Sequence, residues 1–268
     1  MEKKAMELFP VIVIYNKYCG NAPSCASLVS LGLRPMIVDN STADMGNEAF
    51  CRENGLQYIC MGGNMGLPKA YNAAVDALRG RDGFVVWFDD DTPVTAEYLS
   101  ALSAAAQGAG DTDIFVPLFA SVQNPDTLIS PCVRWEDRKA FQLRSVKDAD
   151  EAESAELLSA INSAMAVNLK IYNTIAYNEE QFLDFVDHEF CLRAKAAGCT
   201  IRPLPVKLCQ DYSDDTRVPF KQAMHRCDIF SKDFMVYAID SGMGLAVARK
   251  KLFNHRLRAI ALSLGIIR

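Results

Sequence analysis

The sequence predicts an α/β fold, a mainly parallel sheet with helices on both faces, and two observations carry that reading. Short, uniformly apolar, β-branched runs alternate with segments of helical length from Phe9 to Pro117. Runs that are apolar throughout, rather than at every second residue, suit parallel strands buried on both faces. Three of these runs also end in polar clusters: Tyr15-Asn16, Asp39-Asn40-Ser41 and Asp89-Asp90-Asp91. In open parallel sheets ligands bind beyond the carboxyl ends of the strands, where these clusters lie.

Taken in order, residues 9–15 are expected as the first strand, 24–30 as a short helix, 35–39 as a second strand and 45–54 as a helix closed by Gly55. Residues 56–60 form a third strand. The loop Gly62-Gly63-Asn64-Met65-Gly66 leads into a helix over 67–78, with Pro68 in the first turn, where a missing N–H is harmless. Residues 83–88 are the fourth strand, 95–107 a helix and 114–117 a further strand. Beyond them the pattern loosens. Residues 121–158 read as an insertion or irregular hairpin, 184–197 as a helix closed by Gly198, and 200–208 as a strand broken by Pro203 and Pro205. Residues 219–240 and 246–268 read as helices, the last basic and amphipathic. The expected division is a main domain over 1–240 and a tail over 241–268.

A chain of 268 residues, half of them hydrophobic, can bury one large core. The formal net charge of -5 argues against general nucleic-acid binding. No apolar run approaches the roughly 18 residues needed to span a bilayer, and no leader pattern stands at the start, so a cytoplasmic chain is expected. Nine cysteines without a CxxC pair, and three histidines, speak for buried thiols and against a zinc site.

Three aspartates directly after a buried strand repel one another, and unpaired carboxylates near a core cost several kcal/mol. A divalent cation removes both problems, and oxygen-only ligands suit Mg²⁺ or Mn²⁺. Alternation along an extended segment pairs Asp89 with Asp91 and turns Asp90 away. The same residues also read as an acidic turn before a helix capped by Thr92 or Thr95, and a bare triplet fits phosphatases and nucleotidyltransferases.

The wider pattern resembles the family 2 glycosyltransferases of the GT-A fold, in particular their bacterial rhamnosyltransferase-like and galactofuranosyltransferase-like members. The likeness rests on five stretches in register: Val11 to Asn16, Val38 to Ser41, Asn64 to Asn72, Trp87 to Thr92, and Asp184 to Arg193 with Gly198 behind it. It spans roughly residues 9–240. The resemblance implies an inverting, metal-dependent transfer of a sugar from a nucleotide-sugar to a glycan hydroxyl in bacterial surface polysaccharide assembly. dTDP-rhamnose is the first expected donor, followed by UDP-galactofuranose or a UDP-hexose. It implies Asp187 as catalytic base and Asp89 and Asp91 as ligands to Mg²⁺ or Mn²⁺. Tyr15, Asn16, Asp39, Asn40, Asn64, Gly66, Asn72, Asp89 and Asp90 are the implied donor contacts. Asn162, Ser163, His188 and Glu189 are placed in the sugar or acceptor pocket, with Glu189 as a second candidate base.

Simpler roles stand beside these. Asp39-Asn40 also makes an Asx turn, Asn64 and Gly66 a lead-in to a helix, and Glu189-Arg193 an i,i+4 ion pair. The sequence departs from the family's pattern at 208–212, where many GT-A enzymes carry a metal-binding histidine. Here Gln210 and Asp211 are the oxygen donors in reach. The 246–268 segment sets Phe253, Leu257, Ile260 and Leu264 on one stripe among basic residues. That suits peripheral contact with the inner face of an anionic membrane and a lipid-linked glycan acceptor, or equally packing on the domain or in a homodimer. Two other functions stay open: a metal-dependent nucleotidyltransferase or phosphatase, and an inactive nucleotide-sugar-binding scaffold.

Overall fold

The computed structural model describes residues 6–108, 110–137, 140–156, 158–210 and 218–266. In chain order the elements are β1 (Glu7–Ile14), α1 (Pro23–Ser30), β2 (Met36–Asp39), α2 (Asn47–Asn54), β3 (Gln57–Cys60), α3 (Leu67–Ala77), β4 (Gly83–Phe88) and α4 (Ala96–Gln107). There follow β5 (Ile114–Ser121), β6 (Asn124–Ser130), β7 (Cys132–Asp137), β8 (Ala140–Ser145), α5 (Ala149–Ser154), β9 (Leu158–Ser159) and β10 (Ala166–Asn168). The chain continues through α6 (Val186–Ala196), β11 (Ile201–Gln210), α7 (Phe220–Asp240) and α8 (Leu245–Ser263).

The main sheet runs β11-β5-β10-β4-β1-β2-β3, with β6 paired to β5 at one end. β1, β2, β3 and β4 are parallel, β5 and β11 are parallel, and β10 lies antiparallel between β4 and β5. Two reversals in succession restore the direction, so β5 and β11 point the same way as β1 to β4. Their carboxyl ends, together with the amino end of β10, share one edge.

Alternate side chains of the central strands feed two cores. Val11, Val38, Val85 and Trp87 face α3 and α6 through Tyr71, Ala74, Phe190 and Ala194. Ile12, Ile37, Phe84, Val86 and Phe88 face α1, α2 and α4 through Leu28, Cys51, Tyr98 and Leu102. Burial on both faces is what the uniformly apolar runs require.

Three boundaries differ from the sequence reading for local reasons. The helix expected from Asp184 begins at Val186, because Phe185 takes a left-handed conformation (φ 58°). Residues 121–158 are more regular than expected: β6 extends the main sheet, and β7 pairs with β8 and β9 in a separate three-stranded sheet. β11 absorbs Pro203 and Pro205 through an irregular register between Pro203 and Lys207, and continues to Gln210. Of the nine cysteines, all free, Cys60 is exposed and Cys199 and Cys209 half-buried, so the expectation of buried thiols holds for the other six.

Candidate active site

The acidic turn leaves β4 at Phe88 on the shared edge, and its three carboxylates receive three different partners. Asp89 accepts a short hydrogen bond from the Ser163 hydroxyl, because β10 arrives antiparallel and puts the residues before it beside the end of β4. Asp90 takes an ion pair from Lys17 at 2.7 Å. Asp91 accepts from Gln210 Nε2 at 3.0 Å, across from the end of β11. Burial pushes Asp89 up to about 6, with Asp91, Asp187 and Asp90 adding to the rise and Ser163 opposing it. Asp91 is raised as well, by burial first and then by Asp90. Thr95 caps α4 by accepting from the Tyr98 amide at 3.2 Å, so capping and carboxylate clustering coexist in the same turn.

Gln210 Oε1 is buried with no hydrogen-bond partner. Such an orphan acceptor costs free energy unless a ligand satisfies it. The neighbouring Asp91 and the nearby turn residue Asp89 also carry oxygen, the donor type that hard divalent cations take. Among the described residues no three His, Cys, Asp or Glu side chains are grouped so that they could hold a metal ion by themselves. A cation here would therefore draw further ligands from outside the protein, such as phosphate oxygens and water. These residues fit Mg²⁺ or Mn²⁺ on that condition. Asp211 lies outside the described residues.

The loops after β1, β2 and β3 are tied together next to this turn. Asn16, in a left-handed conformation (φ 49°), accepts from the Thr42 amide at 2.9 Å and donates its own amide to Ser41 Oγ at 2.8 Å. Asp39 accepts from the Ser41 amide (3.0 Å), Asn47 Nδ2 (2.8 Å) and the Tyr58 hydroxyl (3.1 Å), so the Asx turn is present and both carboxylate oxygens are engaged. Asn40 binds the Met65 amide and Asn64 Oδ1, which in turn accepts from the Gly66 amide. Tyr15 is half exposed. Asn72 is turned elsewhere: it brackets Tyr177, accepting from its amide and donating to its carbonyl, and also donates to Glu179.

Asp187 stands in the first turn of α6 and accepts from the His188 amide at 2.8 Å. The dipole of the helix favours an anion at this end. Asp187 is among the charges that raise Asp89, so the two carboxylates, from separate halves of the chain, lie within electrostatic range of one another. Asn162 lies nearby and buried. Its Oδ1 accepts from the Tyr177 hydroxyl at 3.2 Å, and its Nδ2 has no partner. His188 Nδ1 is 2.7 Å from Ser159 Oγ. Glu189, fully buried, is held by Arg193 in a two-pronged ion pair. The i,i+4 ion pair is thus the arrangement present at Glu189.

Asp187 opens onto a cavity of about 530 Å³ walled by α7 and α8. That volume is ordinary for a small-molecule site. Phe185, His188, Arg226, Phe230, His255 and Arg258 share its lining.

Two contributors escaped the sequence reading. Lys17 directly follows Tyr15-Asn16, and that position was the available signal. Asp233 left none. Fully buried on α7, it accepts the Phe182, Leu183 and Asp184 amides at 2.7–2.8 Å, fixing the chain that leads into α6 and Asp187. The Phe182 carbonyl then accepts from the Leu67 amide at 2.7 Å. Gly66 permits that approach: a Cβ there would sit 2.9 Å from the Phe182 carbonyl oxygen and 2.8 Å from its ring.

No family model matches the chain. In sequence it is 25% identical over 202 residues to a dTDP-rhamnosyl transferase, RfbF, of Shigella flexneri, covering 74% of this chain and 66% of that relative. In structure it is similar to a mannosyltransferase from Pyrobaculum calidifontis in complex with GDP-Man and Mn²⁺, with a TM-score of 0.58 and 14% identity, over 96% of this chain and 73% of the other. It is also similar to mannosyl-3-phosphoglycerate synthase from Rubrobacter xylanophilus, with a TM-score of 0.54 and 11% identity, over 98% and 76% of the two chains. The fold is that of the GT-A glycosyltransferases.

Proposed function

We propose that the protein transfers a sugar from a nucleotide-sugar to a glycan hydroxyl, with inversion, and that Asp187 is the base. The observation that carries this reading is the meeting of two sites at one carboxylate. Asp187 lies within electrostatic reach of Asp89 on one side and lines the large cavity on the other. A direct displacement needs such a junction: leaving group on one side, incoming hydroxyl on the other, and a base at the hydroxyl.

Each residue then has a task. The tied loops of Asn16, Asp39-Asn40 and Asn64 to Gly66 form the floor beneath the nucleotide. Asp89 and Asp91, with Gln210 Oε1, would hold a divalent cation, which when bound supplies positive charge to the diphosphate leaving group. Lys17 keeps Asp90 neutralised. Ser163, in the segment before β10, bonds Asp89 of the acidic turn, and the unpartnered Nδ2 of its neighbour Asn162 is a donor for a sugar hydroxyl. Asp187 takes the proton from the acceptor hydroxyl. The sequence likeness to a dTDP-rhamnosyl transferase favours dTDP-rhamnose as donor.

The test is a panel of nucleotide-sugars incubated with Mn²⁺ or Mg²⁺, with and without a lipid-linked glycan acceptor, reading release of nucleoside diphosphate. dTDP-rhamnose should give dTDP and the other donors less. Release of nucleoside monophosphate, or no release with any donor, sinks the proposal. Asp187→Asn should keep donor binding and lose roughly 10²–10⁴-fold in transfer. Loss of donor binding instead would move the base elsewhere.

A further inference from the structure

The outer face of α8 has no role in the site. Phe253, Leu257 and Leu264 are 63%, 49% and 56% exposed, and with half-buried Ile260 they recur at the spacing of one helix face. Arg249 and Lys250, both exposed, continue that face toward the start of the helix. The helix itself is firmly attached by its opposite side. Ala248 is buried, Val247 and Leu252 pack on the cluster around Phe234 and Tyr237, and the His255 ring stacks on Phe230 at 3.8 Å.

Charge is divided along the chain. Residues 241–268 contain six Lys and Arg and no Asp or Glu, whereas residues 1–240 contain 22 basic and 33 acidic residues. The stripe thus belongs to a strongly basic segment on an acidic body. An occupant has to offer an apolar layer beneath a negative surface. A symmetric pairing of two α8 stripes would satisfy the apolar residues but set two basic faces together. An anionic lipid surface satisfies both. No helix among the described residues is long and apolar enough to cross a membrane, so the contact would lie in the interface plane. α8, with 19 residues, offers a length of roughly 28 Å for it.

We infer that the outward face of α8 docks on an anionic lipid bilayer. Because the inner side of the same helix supplies His255, Arg258, Ala259 and Leu262 to the cavity at Asp187, docking sets that cavity beside the membrane surface. On the transferase reading this selects acceptors anchored in lipid. The docking itself needs neither donor nor metal, so its failure is separate from a failure of that reading.

Cosedimentation of the whole chain with vesicles tests it, using phosphatidylcholine alone and phosphatidylcholine mixed with phosphatidylglycerol. The protein should sediment with the mixed vesicles, be released by high salt, and ignore the neutral ones. The Arg249→Ala/Lys250→Ala pair should weaken binding roughly 30-fold, and Phe253→Ser/Leu257→Ser by roughly 10-fold or more. Unchanged thermal unfolding of these surface variants confirms that the fold survives. Absence of binding to the mixed vesicles overturns the inference, as does binding that neither pair weakens. Gel-filtration mass falling from dimer to monomer in the Phe253→Ser/Leu257→Ser variant, without vesicle binding by the parent, would make the face an interface between copies.

Discussion

Replacing Asp89 by Asn should stabilise the metal-free protein at neutral and alkaline pH, although it removes a side chain from the proposed site. Asp89 is pushed from the ordinary 3.8 up to about 6, first by burial and then by Asp91, Asp187 and Asp90. A carboxyl raised on folding favours the fold in its acid form. Its contribution is present at low pH and is lost as pH climbs from about 4 through about 6. Raising a carboxyl from 3.8 to about 6 corresponds to about 3 kcal/mol. This is an upper bound, because Asp89 is only partly shielded from solvent. Asn cannot ionise, and its amide oxygen still accepts from Ser163. The variant should therefore exceed the parent by up to about 3 kcal/mol near pH 8, and the gap should shrink as pH falls toward about 4. Urea unfolding of both proteins across that range, with chelator present, measures the difference and cancels the titration of unrelated groups. Adding Mn²⁺ or Mg²⁺ near pH 8 should close the gap by stabilising the parent alone. A variant less stable than the parent near pH 8, or a gap independent of pH, would refute the account of Asp89 as an uncompensated carboxylate.

Three further outcomes follow from single contacts. Asp233→Asn leaves one of three buried amides facing an NH₂ group, and should cost about 2–3 kcal/mol in chemical unfolding; because the anchored segment leads into α6, transfer activity should fall with donor affinity little changed. Gly66→Ala meets both a positive φ of 86° and the Phe182 carbonyl, and should lower stability by about 2 kcal/mol or more, read by thermal unfolding. Ser163→Ala removes the one hydrogen bond that opposes the rise of Asp89, so the Asp89 carboxyl, followed by NMR titration, should ionise at higher pH than in the parent.

Much of the fold was legible before any coordinates. Uniformly apolar runs such as Val11 to Ile14 and Phe84 to Phe88 can only be satisfied by burial on two faces, and that alone dictates helices on both sides of a parallel sheet. The positions of the polar clusters on the carboxyl edge followed from the same alternation of strand and helix. The acidic turn was conspicuous because three adjacent carboxylates repel one another at the end of a buried strand.

Less legible were the partners. Short-range spacing could place Asp89 and Asp91 together and Glu189 against Arg193, since those pairs are set by the geometry of one strand or one helix. It could not say that Ser163, Lys17 and Gln210 would each claim a different aspartate, because those contacts close loops of 73 to 119 residues. Nor could it say that the Asn72 carboxamide would bond a segment 105 residues away. It was silent on Asp233, which looks like any helical acid until α7 lays it beneath three backbone amides. Residue types and local periodicity therefore determined the sheet, its edge and the acidic turn by themselves. Which carboxylate is paired, which is held at a raised pKa, and which opens onto the cavity were decided only by the tertiary structure, because those properties depend on desolvation and on charges that chain order does not bring near.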